Sequence, residues 1–231
     1  MKGLWWKLLT IALLLFTVIW GFFQEVPRMY PLQETIRNLY FHVPMWFGMI
    51  IILGASVVYS IKYLKNPLPK YDNLAVSCVN VGVMFGVLGM ITGMFWAQFT
   101  WGYFWSGDPK QNAAAVGLLI YFAYGILRGL FEDDSQKKRI SAIYNIFAYA
   151  TLIPLMFILP RLTDSLHPGN GGNPGFNAYD LDSKLRMVFY PAVIGWTLLG
   201  AWIVDINARM KNSNDQLDEI QFANDKVGQV Q

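Results

Sequence analysis

Long apolar runs with charges confined to their ends dominate the pattern of this chain. Windows 4–23, 44–64, 74–97, 113–131, 140–160 and 185–206 each approach or exceed 20 residues. A hydrocarbon core of about 30 Å needs about 20 apolar residues per helix, so each window is long enough to cross it. Only Lys7, Lys62, Arg128, Arg186 and Asp205 are charged within these windows, all near an end where a long side chain reaches the interface. The pattern predicts an all-α, polytopic membrane protein with six transmembrane helices.

The first window follows Lys2 and contains Lys7, as a signal peptide would, but Gly21-Phe22-Phe23-Gln24 offers no small-x-small cleavage site, which predicts a retained helix. Six spans put both ends on one side. That side receives twelve of the 18 Lys and Arg residues, so both termini are expected to be cytoplasmic. Inner connections 65–73 and 132–139 are short, whereas outer segments 24–43, 98–112 and 161–184 are longer and richer in unusual residues, so function is expected outside. The chain then divides into a membrane domain, 1–206, and a polar cytoplasmic tail, 207–231, expected to be mobile or partner-bound. Gly82-x-x-x-Gly86, Gly89-x-x-x-Gly93 and Gly125-x-x-x-Gly129 are expected to let helices approach closely, and Pro154 and Pro191 to kink helices five and six.

Composition agrees: 55% hydrophobic and 14% charged residues leave too few charges to coat a soluble globule. A net charge of +3 without a long basic run gives no footprint for nucleic acid. One cysteine, Cys78, excludes an intrachain disulfide, a CxxC pair and covalent haem attachment at CxxCH. Walker-type, HExxH and GxSxG motifs are missing, so hydrolytic chemistry is not expected.

Candidate chemistry lies in the outer segments. The chain has two histidines, His42 before Pro44 and His167 after the fifth window, both expected in loops. Two imidazoles from distant parts of a chain suit the axial positions of iron in a flat macrocycle. Between them, seven of the eleven residues 95–105 are aromatic, including Trp101, Tyr103 and Trp105. Such a run serves as an interfacial belt or as a platform for a flat apolar ligand. Lys110, Arg37, Arg161 or Arg186 would then pair with carboxylates at the ligand's rim. Turn-forming residues fill 163–175, where Asp164 either orients His167 or caps a turn.

The segment Trp101-Gly102-Tyr103-Phe104-Trp105-Ser106-Gly107-Asp108-Pro109-Lys110 resembles the tryptophan-rich "WWD" signature of the haem-handling proteins of cytochrome c biogenesis. His42 in Tyr40-Phe41-His42-Val43-Pro44 and His167 in Ser165-Leu166-His167-Pro168-Gly169 resemble the two outer histidines of the CcmC branch. The resemblance implies non-covalent, transient haem b at the periplasmic face of the bacterial inner membrane, His42 and His167 on its iron, and Trp101, Tyr103, Trp105 and Asp108 in the haem-presenting loop. It also implies delivery to a CcmE-like periplasmic chaperone, with CcmA-, CcmB- and CcmD-like partners, by ligand exchange rather than bond-making catalysis. Two positions depart from the usual pattern: Gly107 stands where tryptophan precedes the aspartate, and Phe104 where many members carry tryptophan.

Three other readings compete. A di-haem electron-transfer subunit would need four histidines inside the bundle. A transporter usually places ionisable groups at mid-membrane, and these spans have none there. A scaffold subunit without its own haem site has no use for the histidines or the aromatic loop.

Overall fold

A computed structural model describes residues 3–28, 30–167 and 181–228. Its helices are α1 (Leu4–Phe23), α2 (His42–Lys65), α3 (Pro69–Trp101), α4 (Pro109–Gly129), α5 (Asp134–Ile153) and α6 (Ser183–Gly228). Among the described residues there is no strand, and six helical stretches are long and apolar enough to cross a membrane. Pro168 to Gly175 of the third outer segment, and residues 229–231 of the tail, lie outside the described residues.

The α2–α3 pair is the spine of the bundle, and small residues explain its closeness. Gly82, Gly86, Gly89 and Gly93 form a stripe along α3 that receives Leu53, Met49, Trp46 and His42 of antiparallel α2 in matching order. A Cβ on Gly82 would stand 2.6 Å from Leu53, and one on Gly93 2.6 Å from His42. The stripe that permits helix contact therefore runs into the candidate site. Gly125 and Gly129 differ: among the described residues a Cβ at either would meet nothing within 4 Å, so no close helix approach requires glycine at the third pair.

Three further findings add to the sequence expectations. Arg128 does not snorkel freely; its guanidinium makes a two-pronged pair with the carboxylate of Asp72 on α3, Nη1 to Oδ1 at 3.0 Å, and Asp72 is buried. Mid-bundle, the Asn145 amide of α5 donates to Ser56 (2.8 Å) and Ser60 (2.9 Å) of α2, a buried polar link without charge. The segment after 206 continues α6 as helix to Gly228, and Asn73 donates to Asn212 (2.8 Å) and Asp215 (2.7 Å) on it. Polar helix-formers carry the helix on where hydropathy marks only the end of the apolar run.

Pro154 and Pro191 have different outcomes. At Pro154 α5 stops and the chain passes through a π-helical turn, Pro154–Ile158, and a 3-10 turn, Leu159–Arg161. This replaces the expected kink with a wider turn, as the missing amide donor allows. At Pro191 α6 stays continuous.

Candidate functional site

His42 is the first residue of α2, not a loop residue. Its ring lies on Gly93, and Nδ1 is 2.9 Å from the Gly89 carbonyl oxygen and 3.2 Å from Thr92 Oγ1. Because a carbonyl only accepts, Nδ1 carries the proton and donates it. Nε2 is then the bare lone pair.

His167 reaches the same arrangement by a different route. Helix α3 ends at Trp101 with Gly102 in the left-handed conformation (φ 85°), which a glycine adopts without strain. The following loop is braced by two side chains of α4: Gln111 accepts from the Ser106 amide (3.0 Å) and donates to the Phe104 carbonyl (3.2 Å), and Asn112 donates to the Gly107 carbonyl (2.9 Å). Asp108 then caps α4, accepting from the Lys110 amide at 2.8 Å, with Pro109 at the first helical position. The same carboxylate accepts from the Leu166 amide (2.7 Å), the Ser165 hydroxyl (2.9 Å) and His167 Nδ1 (2.8 Å). Its side chain is 1% exposed. Burial alone would raise the Asp108 carboxyl, yet His167 and the Leu166 and Lys110 amides outweigh it and hold the group well below the usual carboxylate range. His167 thus also donates through Nδ1, which leaves Nε2 as its uncommitted nitrogen.

Both rings line one largely apolar cavity of about 800 Å³ between α2, α3, α4, the turn after α5, and α6. Trp46 packs edge-on to His42 (centroids 6.2 Å apart) and Trp101 edge-on to His167 (4.8 Å), while Trp96 touches both Trp101 and His167. Lys110 and Arg161 contribute cationic side chains to the lining. Among the described residues, no group of three or more His, Cys, Asp or Glu side chains gathers to hold a metal ion. Two imidazoles at one cavity suit a metal whose remaining positions a macrocycle already fills.

The comparison with known families covers nearly the whole chain. Residues 2–221 match the family described as heme exporter protein C, CcmC. The chain belongs to that family. It is similar to heme exporter protein C of Rhodobacter capsulatus, 29% identical over 166 residues that cover 72% of this chain and 68% of that one. The corresponding protein of Paracoccus denitrificans is 23% identical over 66% of this chain and 62% of its own length. A shorter match, 42% identical over 34% of this chain, links it to the cytochrome c biogenesis protein CcsA of Prochlorococcus marinus, but spans only 25% of that protein.

The structure distributes the site residues expected from the sequence unevenly. It brings His42, His167 and Trp101 together around the cavity and sets Asp108 behind His167. Tyr103 and Trp105 do not line the cavity; they are 68% and 43% exposed beyond the α3 terminus. Arg37 is drawn elsewhere, donating to the Gly21 and Gln24 carbonyls (both 2.7 Å) at the end of α1 and pairing with Glu34. Arg186 donates to Ser183 and is likewise absent from the lining. The partner of His167 is Asp108, not Asp164. Gly107 has φ 74°, so this turn favours glycine over the customary tryptophan, and Phe104 packs edge-on against Phe95 (5.6 Å). Sequence reasoning missed Trp46, although its position one turn after His42 on the same helix face was a usable signal.

Proposed function

We propose that this protein binds haem between His42 and His167 and hands it to a haem-receiving protein during c-type cytochrome maturation. Membership of the heme exporter protein C family and similarity to cytochrome c biogenesis proteins support the setting. The observation that carries the reading is the matched pair of histidines, each committing Nδ1 to an oxygen acceptor and leaving Nε2 for iron at a shared cavity. Metal-binding histidines commonly hold their second nitrogen in this way, which fixes both tautomer and ring direction.

The surroundings fit a haem. The cavity is within the range of about 300–1,000 Å³ usual for small-molecule sites, and its walls are mainly apolar. Trp46, Trp96 and Trp101 offer ring faces and edges, and Lys110 and Arg161 offer positive charge for the propionates. Haem b, held only by coordination and packing, remains transferable. Exposed Tyr103 and Trp105 then belong to the surface that meets the receiving protein rather than to the haem pocket. In this reading the histidine end faces the periplasm across the bacterial inner membrane, both termini are cytoplasmic, the receiver is a CcmE-like chaperone, and CcmA-, CcmB- and CcmD-like subunits complete the assembly.

Absorption spectra of detergent-purified wild type and His42→Ala/His167→Ala, oxidised and reduced, test the assignment. A Soret band in the first that is lost in the second is expected. A band of equal intensity in both, or no haem in wild type from haem-supplied cells, would overturn it.

A further inference from the structure

Resting on that haem-binding reading, the geometry points to a division of labour between the two ligands: Asp108 makes His167 the strong, retained ligand, and His42 is the one that yields to an incoming ligand. The Nδ1 distances are nearly equal, 2.8 Å for His167 and 2.9 Å for His42, so length does not separate them. Charge does. The acceptor for His167 is a carboxylate, whereas His42 has the neutral Gly89 carbonyl and Thr92 hydroxyl. Hydrogen bonding to a carboxylate shifts electron density toward the far nitrogen and makes Nε2 a stronger donor. Thr92 does not narrow the gap, because its hydroxyl donates to the Leu88 carbonyl at 2.8 Å and brings no charge.

Position reinforces chemistry. A loop histidine would ordinarily be the easier one to detach, but Asp108 also accepts from the Ser165 hydroxyl and the Leu166 amide, so three consecutive residues are fastened to one buried carboxylate. Asp108 is therefore a positioning residue: it touches the ligand, not the iron. In the exchange, the His42 Nε2–iron bond breaks as a Lewis-basic side chain of the receiving protein forms its own bond to iron. His42 keeps its Nδ1 proton on Gly89, and the iron keeps its oxidation state.

The test titrates detergent-purified wild type, His42→Gly and His167→Gly with haemin and records the iron–histidine stretch of each ferrous single variant by resonance Raman. The His42→Gly protein, which retains the carboxylate-backed ligand, is expected to bind haemin about 10-fold or more tightly than His167→Gly and to show the higher stretching frequency. Asp108→Asn in the His42→Gly background is expected to lower that frequency to the His167→Gly value; a purely structural role for Asp108 would weaken affinity and leave the frequency where it was. Equal or reversed constants and frequencies for the two glycine variants overturn the inequality even if Asp108→Asn fails to fold. Wild type that binds no haemin sinks the haem reading itself, whereas haem-binding wild type with symmetrical variants sinks only the inequality.

Discussion

The two ends of the bundle handle buried polar groups in opposite ways. At the end away from the histidines, Asp72 and Arg128 satisfy each other, and Asn73 spends its amide on Asn212 and Asp215. Side chains of both signs line the cleft there, Asp72, Asp134, Asp215 and Asp218 together with Arg128, Lys137, Lys138 and Lys211. At the histidine end, each imidazole is held by one nitrogen and keeps the other bare at an apolar cavity. Closed networks join helices, whereas a half-spent donor set prepares a surface for a ligand. The difference separates residues that hold the fold from residues that, in the proposed reading, would receive haem.

The largest expected effect comes from breaking the closed end. Arg128→Ala leaves the Asp72 carboxylate buried without its partner, and loss of one member of such a pair costs about 3–5 kcal/mol. Equilibrium unfolding in detergent should show this loss, while haemin affinity per folded molecule stays at the wild-type value. A drop in affinity as large as the drop in stability would mean that the two ends are not separable. Next in size is Gly93→Ala. The new methyl would stand 2.6 Å from His42 Cε1, so the ring must move, and overpacking of this kind costs about 1–3 kcal/mol. Here haem content should fall with the fold intact, as read from the Soret absorbance per protein; unchanged content would show that ring placement on α3 does not matter.

These contrasts also explain what was legible in the sequence. Membrane spans are visible because lipid imposes a run of apolar residues on each helix separately, and both histidines stood out because the chain has no others. The Asp108–His167 contact joins positions 59 residues apart in the chain, and no periodicity encodes it. Asp72 escaped notice because it lies just outside the apolar window, in the first turn of α3, where Pro69 starts the helix earlier than hydropathy does. Aromatic density marked residues 95–105 as one unit, belt or platform, but Gly102 turns the chain, and Tyr103 and Trp105 lie outside the cavity that Trp96 and Trp101 line. Composition reports how many rings a segment carries; only the backbone decides which way they face.

Acid sharpens the comparison at the histidine end. The Asp108 carboxyl is held below its ordinary range, so its stabilisation is complete above the unfolded carboxylate pKa of about 4 and disappears only as pH falls through the lowered folded value. Ligand-free protein should keep the loop around His167 in place at pH 4–5, where an ordinary carboxylate is already titrating. Tryptophan fluorescence, with Trp101 beside His167 as a reporter, should therefore stay flat across that interval. Asp108→Asn should abolish the transition at more acidic pH, and a wild-type transition centred near pH 4 would place the carboxyl in its ordinary range.

The smallest effect distinguishes glycines that share a motif but not a role. Gly125 and Gly129 of α4 have nothing within 4 Å of an added Cβ, so alanine there encounters no neighbour and relieves the helix of glycine's backbone entropy. A gain of about 0.5–1 kcal/mol per site is expected. Gly86→Ala on α3 is the control in which the same change reverses sign: its methyl would stand 2.6 Å from Leu118 and 2.7 Å from the Met49 sulfur, in the seam that aligns α2 and thereby His42. Thermal unfolding of the three variants in detergent reads both signs. Should Gly125→Ala and Gly129→Ala destabilise as Gly86→Ala does, the exposed face of α4 would be a packed surface in solution, and the small-x-x-x-small spacing would be a sounder guide to helix contact than the bundle indicates.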